Sequence, residues 1–385
     1  MKLTITTLGA LLLGATASVA GGIERAPQSL AVLFEEGNYA ELSFGGANPK
    51  VKGKDIAGFS TGDVAQGYGF FGLAYKHQFN DNLSAAIIVE QPFGADIRYP
   101  MIAAPLAAYD VLDGTRVLVN STTYTGLLRY KFENNFSVHG GIRASRADGQ
   151  VKLSGAGYGA FSGYDLDIDG AWGLGWVAGA AYEIPELAAR VSLTYNSPIS
   201  HDFDMTESGP IVGALTGGAT DTVSGKHKVK TPRSWMLEAQ SGVAKDTLVF
   251  GSVRWVKWSE FKVDNFVFPQ PTVAGPVDLV TLEDTTTYTL GVGRKFTDNW
   301  SGSASFTYEP SKGDTVSPLA PYNGRKGITL AAIYTQDNVK ITTGINYSKL
   351  GGTELGVGPN GNKRTVAEMD DGELWGVGVR VGYSF

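Results

Sequence analysis

The stretch Leu374-Trp375-Gly376-Val377-Gly378-Val379-Arg380-Val381-Gly382-Tyr383-Ser384-Phe385 decides the fold. Its odd positions, Trp375 to Phe385, are apolar or aromatic. Its even positions, Gly376 to Ser384, are small or charged. Successive side chains of a β-strand point to opposite faces, so this alternation describes a strand whose two faces meet two different solvents. Arg380 marks which face is wet.

The same pattern recurs upstream. Trp300, Ala304, Phe306 and Tyr308 oppose Ser301, Ser303, Ser305 and Thr307. Val339, Ile341, Ile345 and Tyr347 oppose Lys340, Thr342 and Asn346. Fourteen such strands are predicted, near 39–47, 67–79, 83–91, 119–132, 135–147, 172–183, 188–197, 233–243, 246–257, 286–296, 300–308, 326–336, 338–348 and 374–385. An even count brings the first and last strands together antiparallel, as closure of a single-chain bacterial barrel requires.

The connections separate a barrel from a sandwich. Short links such as Asn80-Asp81-Asn82, Glu133-Asn134, Ala244-Lys245 and Asp337 alternate with long ones near 48–66, 92–118, 148–171, 198–232, 258–285, 309–325 and 349–373. A membrane barrel keeps tight turns on the periplasmic side and long loops outside, whereas a soluble all-β repeat protein has no reason to. Phe79, Phe132, Phe136, Phe296, Trp300, Tyr334 and Phe385 crowd the short-turn ends, as an interfacial aromatic belt would. The expected fold is therefore all-β: a transmembrane antiparallel barrel of about fourteen strands with a short N-terminal hatch-like segment. The last strand should pair with Tyr39–Ala47. Arg380 should face the lumen, Trp375 the outer interface and Phe385 the inner one.

Composition agrees. The chain has 385 residues, 51 glycines and no cysteine, and its formal charge of −6 leaves no basic footprint for nucleic acid. Lys2, the apolar run Leu3 to Ala15 and the small-residue site Ser18-Val19-Ala20 read as a signal peptide, too short to anchor in a bilayer. The division is 1–20 signal peptide, 21–38 N-terminal segment and 39–385 barrel. Residues 21–38 contain Leu30, Val32, Leu33 and Phe34 before Glu35-Glu36, and they could plug the barrel or trail as a periplasmic tail.

Catalytic patterns are missing. There is no GxSxG or HExxH, and His77, His139, His201 and His227 are scattered. No catalytic residue, cofactor or metal is expected. Asp165, Asp167 and Asp169 alternate and suit either Ca²⁺ or a solvated strand face. Alternation sends Glu90, Arg129, Lys131, Arg143, Arg190, Glu238, Gln240, Arg254 and Arg380 to the lumen, where most should neutralise one another. Arg143, Arg190 and Arg254 have small or neutral neighbours and are the candidates to hold a ligand carboxylate, because a guanidinium offers two parallel donors. Two outer loops are greasy. Pro92 to Leu106 carries Phe93 and Tyr99, and Phe261 to Leu282 carries Phe266 and Phe268. Such loops can form an apolar groove or pack on each other.

Together these features resemble the FadL/TodX family of outer-membrane transporters for hydrophobic compounds. The likeness rests on Pro92-Phe93-Gly94 with Tyr99 and Gly114-Thr115, on Trp255-Val256-Lys257-Trp258-Ser259-Glu260-Phe261, and on Tyr288-Thr289-Leu290-Gly291 to Tyr308-Glu309-Pro310-Ser311 with Pro318–Pro321. It implies a monomeric fourteen-stranded barrel in the outer membrane of a Gram-negative bacterium. An N-terminal hatch would involve Pro27, Gln28, Ser29, Leu30 and Phe34, and the third strand would kink at Gly94. The chain reads Ala26-Pro27-Gln28-Ser29-Leu30 where the family usually has Asn-Pro-Ala, and the segment before it is short. The implied function is passive uptake of hydrophobic solutes such as long-chain fatty acids, by loop capture and lateral release, in contact with outer-membrane lipid and lipopolysaccharide. The alternatives are a general porin and a structural or adhesive surface barrel.

Overall fold

A computed structural model describes residues 23–26, 28–101, 110–313 and 315–385. The expected signal peptide, Pro27 and residues 102–109 of the first greasy loop lie outside the described residues.

Fourteen antiparallel strands form one closed barrel. The closing register runs from Tyr39 opposite Ser384 to Lys50 opposite Glu373, so the strand that opened the sequence reading pairs with the predicted partner. Burial is inside-out relative to a soluble domain. Ile142 is 69% and Leu174 71% exposed, while Thr123, Ser137, Ser145 and Asn346 are buried. Only a bilayer makes that arrangement favourable, since apolar side chains there leave water while the polar lumen keeps its partners. Among the described residues no helix is long and apolar enough to cross a membrane. Arg380 turns inward to Glu41 at 3.6 Å, and Trp375 and Phe385 lie exposed on the outward side.

Several strands are longer than their alternation suggested. The fourth spans Arg116–Lys131, the fifth Phe136–Leu153 and the sixth Tyr164–Ile184. Residues 148–153 and 164–171, expected in a loop, are strand. The physical reason is plain in the outward side chains. Beyond the bilayer, Arg146, Asp148, Gln150 and Lys152 face water, and the apolar phase of the pattern ends before the ladder does. Asp165, Asp167 and Asp169 belong to this solvated strand face. Among the described residues no group of acidic or histidine side chains is arranged to hold a metal.

Three strands are broken. The third runs Leu83–Glu90, stops at Gln91-Pro92-Phe93, and resumes as Gly94–Arg98. The seventh runs Ala189–Asn196 and resumes past Pro198 as Ser200–Ser208, which pairs with Thr222–Lys230 in a hairpin above the barrel. The eighth runs Thr222–Lys230 and resumes past Pro232 as Ser234–Ala244. Proline has no N–H for the ladder, which explains the interruptions at Pro92, Pro198 and Pro232. The outer loops add a small sheet of Gly53–Asp55, Thr315–Val316, Thr353–Val357 and Arg364–Met369.

The apolar interior falls into two main clusters. One joins the outer loops to the strand tops and includes Phe93, Tyr99, Trp258 and Phe268. The other lies lower and joins Leu30, Val32, Leu33 and Phe34 to Ala74, Ala86, Ile88, Leu127, Val177 and Ala181 on the barrel wall. The segment before the first strand therefore lies inside the lumen, not in the periplasm.

Candidate functional site

The site begins at the break in the third strand. Below it, the second and third strands pair from Gln78 opposite Ser84 up to Leu73 opposite Val89. Above it, contact resumes where Gln66 N–H donates to the Asp96 carbonyl at 2.9 Å and Arg98 N–H to that of Val64 at 2.8 Å. Between these points the wall has a gap. The Gln91 side chain bridges it, its Oε1 accepting from the Phe71 N–H at 3.2 Å. Pro92 and Phe93 leave the ladder. Ser121 Oγ holds the loose turn, accepting from Phe93 N–H at 3.0 Å and donating to Phe93 O at 2.7 Å. Phe93 points inward and meets Trp258 edge-on at 5.8 Å.

The N-terminal segment docks on this break like a short inner strand. Arg25 N–H donates to Pro92 O at 2.7 Å, and Gly94 N–H donates to Ile23 O at 2.9 Å. Gly94 stands just past the break rather than at it. The Arg25 guanidinium packs where a Cβ at Gly94 would stand, 2.4 Å from that position, so a side chain there would push the arginine aside. That guanidinium also lies 4.8 Å over the Tyr68 ring.

The same segment occupies two of the three candidate arginines. Arg254 Nη1 pairs with Glu24 at 2.5 Å, with Glu24 wholly buried and the Arg254 side chain 5% exposed. Arg143 Nη2 donates to Gln28 Oε1 at 2.7 Å. Gln28 has φ +58, a left-handed conformation that turns its amide toward the wall. The third candidate is elsewhere. Arg190 lies near the periplasmic end, its guanidinium 4.0 Å over the Phe34 ring, with Arg129 at 4.6 Å from the same ring. Arg129 also bridges to Glu183 and donates to Leu33 O. A polar cavity of about 510 Å³ opens there, lined by Phe34, Glu35, Lys76, Arg129, Lys131 and Arg190.

Burial outweighs the pull of Arg254 and raises the Glu24 carboxyl to about 7. A raised acid is held most tightly when protonated, so this contribution to docking is complete below the ordinary value of 4.5 and is lost as pH rises through 7. We expect higher protection of the amides of residues 23–26, taken relative to the intrinsic exchange rate at each pH, at pH 5 than at pH 8. Glu24→Gln should flatten that difference, and a slope unchanged in the variant would remove Glu24 as its source.

The remaining candidates lie near the outer side. Tyr99 is buried and donates to Pro318 O at 2.8 Å, so it fixes loops rather than lining open space. Phe268 stacks on Phe161 at 5.2 Å and meets Tyr164 edge-on at 5.3 Å. Phe266 is 46% exposed and faces away from that cluster. An apolar groove between the loops is lined by Phe161, Phe268, Val277, Leu279 and Pro318, with Lys363 beside them. It holds only about 30 Å³ of free space, so the loops' own side chains nearly fill it. Burial lowers the Lys363 ammonium below its ordinary range, while Glu283 pulls the other way. Ser29 accepts from Ala31 N–H at 3.2 Å and Leu30 is buried, both in the docked segment. Sequence reasoning missed Glu24, Arg25 and Gln91. The pair Glu24-Arg25 was the available signal, since a charged pair inside a plug must meet opposite charges on the wall.

A closed membrane-spanning barrel with an occupied lumen and a fault in one wall defines an outer-membrane transport barrel. The family profile described as outer membrane protein transport protein (OMPP1/FadL/TodX) matches residues 36–385, and the chain belongs to this family. The long-chain fatty acid transport protein of Escherichia coli K12 is 23% identical over 230 residues, 56% of this chain and 49% of that protein. The chain thus spans about half the length of the curated relatives it matches. Among solved structures, a Pseudomonas aeruginosa FadL homologue superposes with TM-score 0.71 at 16% identity, covering 92% of each chain. The Pseudomonas putida toluene transporter TodX superposes with TM-score 0.63 at 12% identity, covering 91% of each. These likenesses establish the fold. The family is one of outer-membrane transport proteins, which sets catalysis aside.

Proposed function

We propose that the barrel lets hydrophobic solutes cross the outer membrane passively, with long-chain carboxylates as the preferred cargo. The observation that carries the reading is the gap between the second and third strands, closed from inside by Ile23–Ala26. Solute enters where the apolar outer loops part and reaches the docked segment, which acts as the hatch. It leaves sideways through the gap, so its chain never crosses a water-filled pore. The occupied lower lumen speaks against a general porin. A surface adhesin has no use for a wall gap backed by a docked segment.

The arginines favour a carboxylate over a neutral hydrocarbon. Arg254 and Arg143 already hold the oxygens of Glu24 and Gln28, so a ligand carboxylate finds donors in place when the segment withdraws. Losing one charged hydrogen bond costs roughly 1.5–3 kcal/mol, or about tenfold to a hundredfold in affinity. Alanine at Arg143, Arg190 or Arg254 should weaken oleate binding by that factor and methyl oleate binding much less. Equal losses for both ligands at all three would remove the clamp. The transport reading itself is tested by uptake of labelled oleate and of a small sugar in a deletion strain. Unchanged oleate entry with lost sugar entry would leave the porin as the better account.

A further inference from the structure

The outward face of the barrel carries charge where a transmembrane surface would be expected to end. Tyr347 and Trp375 meet at a tilt, centroids 4.7 Å apart, in the outer aromatic band. Two residues further along the same faces stand Lys349 and Glu373, about 7 Å further along their strands and roughly 5 Å closer to the outside. The register sets Lys50 beside Glu373, Glu373 beside Lys349, and Lys349 beside Lys326. It continues from Lys326 to Tyr308 and Tyr288. Lys50 binds Glu373 at 3.2 Å. Among the described residues Lys326 and Lys349 form no salt bridge, and the Lys326 ammonium lies 6.0 Å from the Tyr308 ring.

An independent feature lies just below. Leu237, Ala239, Gly251, Val253, Leu290 and Phe306 surround a shallow apolar hollow on the lipid-facing side, with Tyr288 and Tyr308 at its outer rim. Gly251 gives the hollow a backbone floor, and a Cβ there would sit only 2.9 Å from the Thr289 carbonyl.

We propose that this wall binds a phosphorylated, acylated lipid of the outer leaflet. Lys326 and Lys349 take its phosphate, and one acyl chain lies in the hollow at Gly251. The height of the lysines selects a membrane lipid over a soluble anion. They stand one outward position beyond the aromatic band, where lipid phosphates lie, and the hollow runs inward from the same rim. Two flexible amines with no converging backbone donors make a poor trap for free phosphate. Joined to a buried chain they need only supply selectivity.

The test is thermal unfolding of the full barrel in detergent, read by loss of its compact electrophoretic form. The probes are a bis-phosphorylated lipid A, the same lipid without phosphates, and inorganic phosphate. The wild type should gain most from lipid A, less from the dephosphorylated lipid and nothing from phosphate. Lys326→Glu with Lys349→Glu should erase the difference between the two lipids, whereas Lys230→Glu, on the hairpin, should keep it. Ala239→Phe, which fills the hollow without touching the backbone, should reduce the response to both lipids. An undiminished lipid A response in the double variant, or an unchanged one in Ala239→Phe, would overturn the site. A matching shift from inorganic phosphate alone would overturn the lipid assignment.

Discussion

Cysteines placed at Phe71 and Gln91 and joined by a cleavable thiol-reactive linker should bring hydrophobic uptake down to the level of a strain without the protein. Reduction should restore it. The chain has no native cysteine, so these would be its only thiols. The positions face each other across the gap, with Gln91 Oε1 already 3.2 Å from the Phe71 nitrogen. Neither supports the ladder below, which ends at Leu73 and Val89, so the barrel should fold normally and migrate as the wild type. Each single-cysteine variant should show the same uptake before and after the treatment. The effect should be nearly complete, because a lateral exit has no partial bypass when the lower lumen is blocked. Full uptake through the linked barrel would place the route down the lumen and exclude the wall gap.

How much of this was legible depends on which force wrote the signal. The bilayer writes period-two alternation over its own thickness, so strands, closure and the inward turn of Arg380 could be read directly. Where the sixth strand leaves the bilayer, Asp165, Asp167 and Asp169 replace apolar side chains while the hydrogen bonds continue. The reading therefore stopped near Trp172, although the strand begins at Tyr164. The break in the third strand was signalled by Pro92, yet the resemblance set it at Gly94, which is the first residue of the resumed strand. The three candidate arginines did face inward, but alternation gives a face and not a partner. Arg254 meets Glu24 across 230 positions and Arg143 meets Gln28 across 115, through a segment with no period of its own. Phe266 and Phe268 share a greasy loop and differ in fate because irregular backbone has no face to read.

Deleting residues 23–34 should turn the barrel into an open pore. The lower cluster of the lumen is built around Leu30, Val32, Leu33 and Phe34, and apart from Tyr39 its other members are small or medium wall residues that cannot close over the space left. Barrels of 16–18 strands hold an aqueous channel, and fourteen strands stripped of their filling should give a narrower one. Removing Glu24 and Gln28 also frees Arg254 and Arg143 of their acceptors, and Arg129 and Arg190 lose the ring between them. We expect clear single-channel steps in planar bilayers where the intact barrel gives few, together with sensitivity to hydrophilic antibiotics and loss of selective oleate uptake. Phe34→Ala gives the graded form. A buried phenylalanine cut to alanine costs about 3–5 kcal/mol, and each lost cation–π contact adds about 0.5–2 kcal/mol. That is enough to populate an undocked segment and produce intermittent openings. A deletion variant that conducts no better than the intact barrel would mean that wall side chains close the lumen, and the segment would then be a latch for the gap and not a plug.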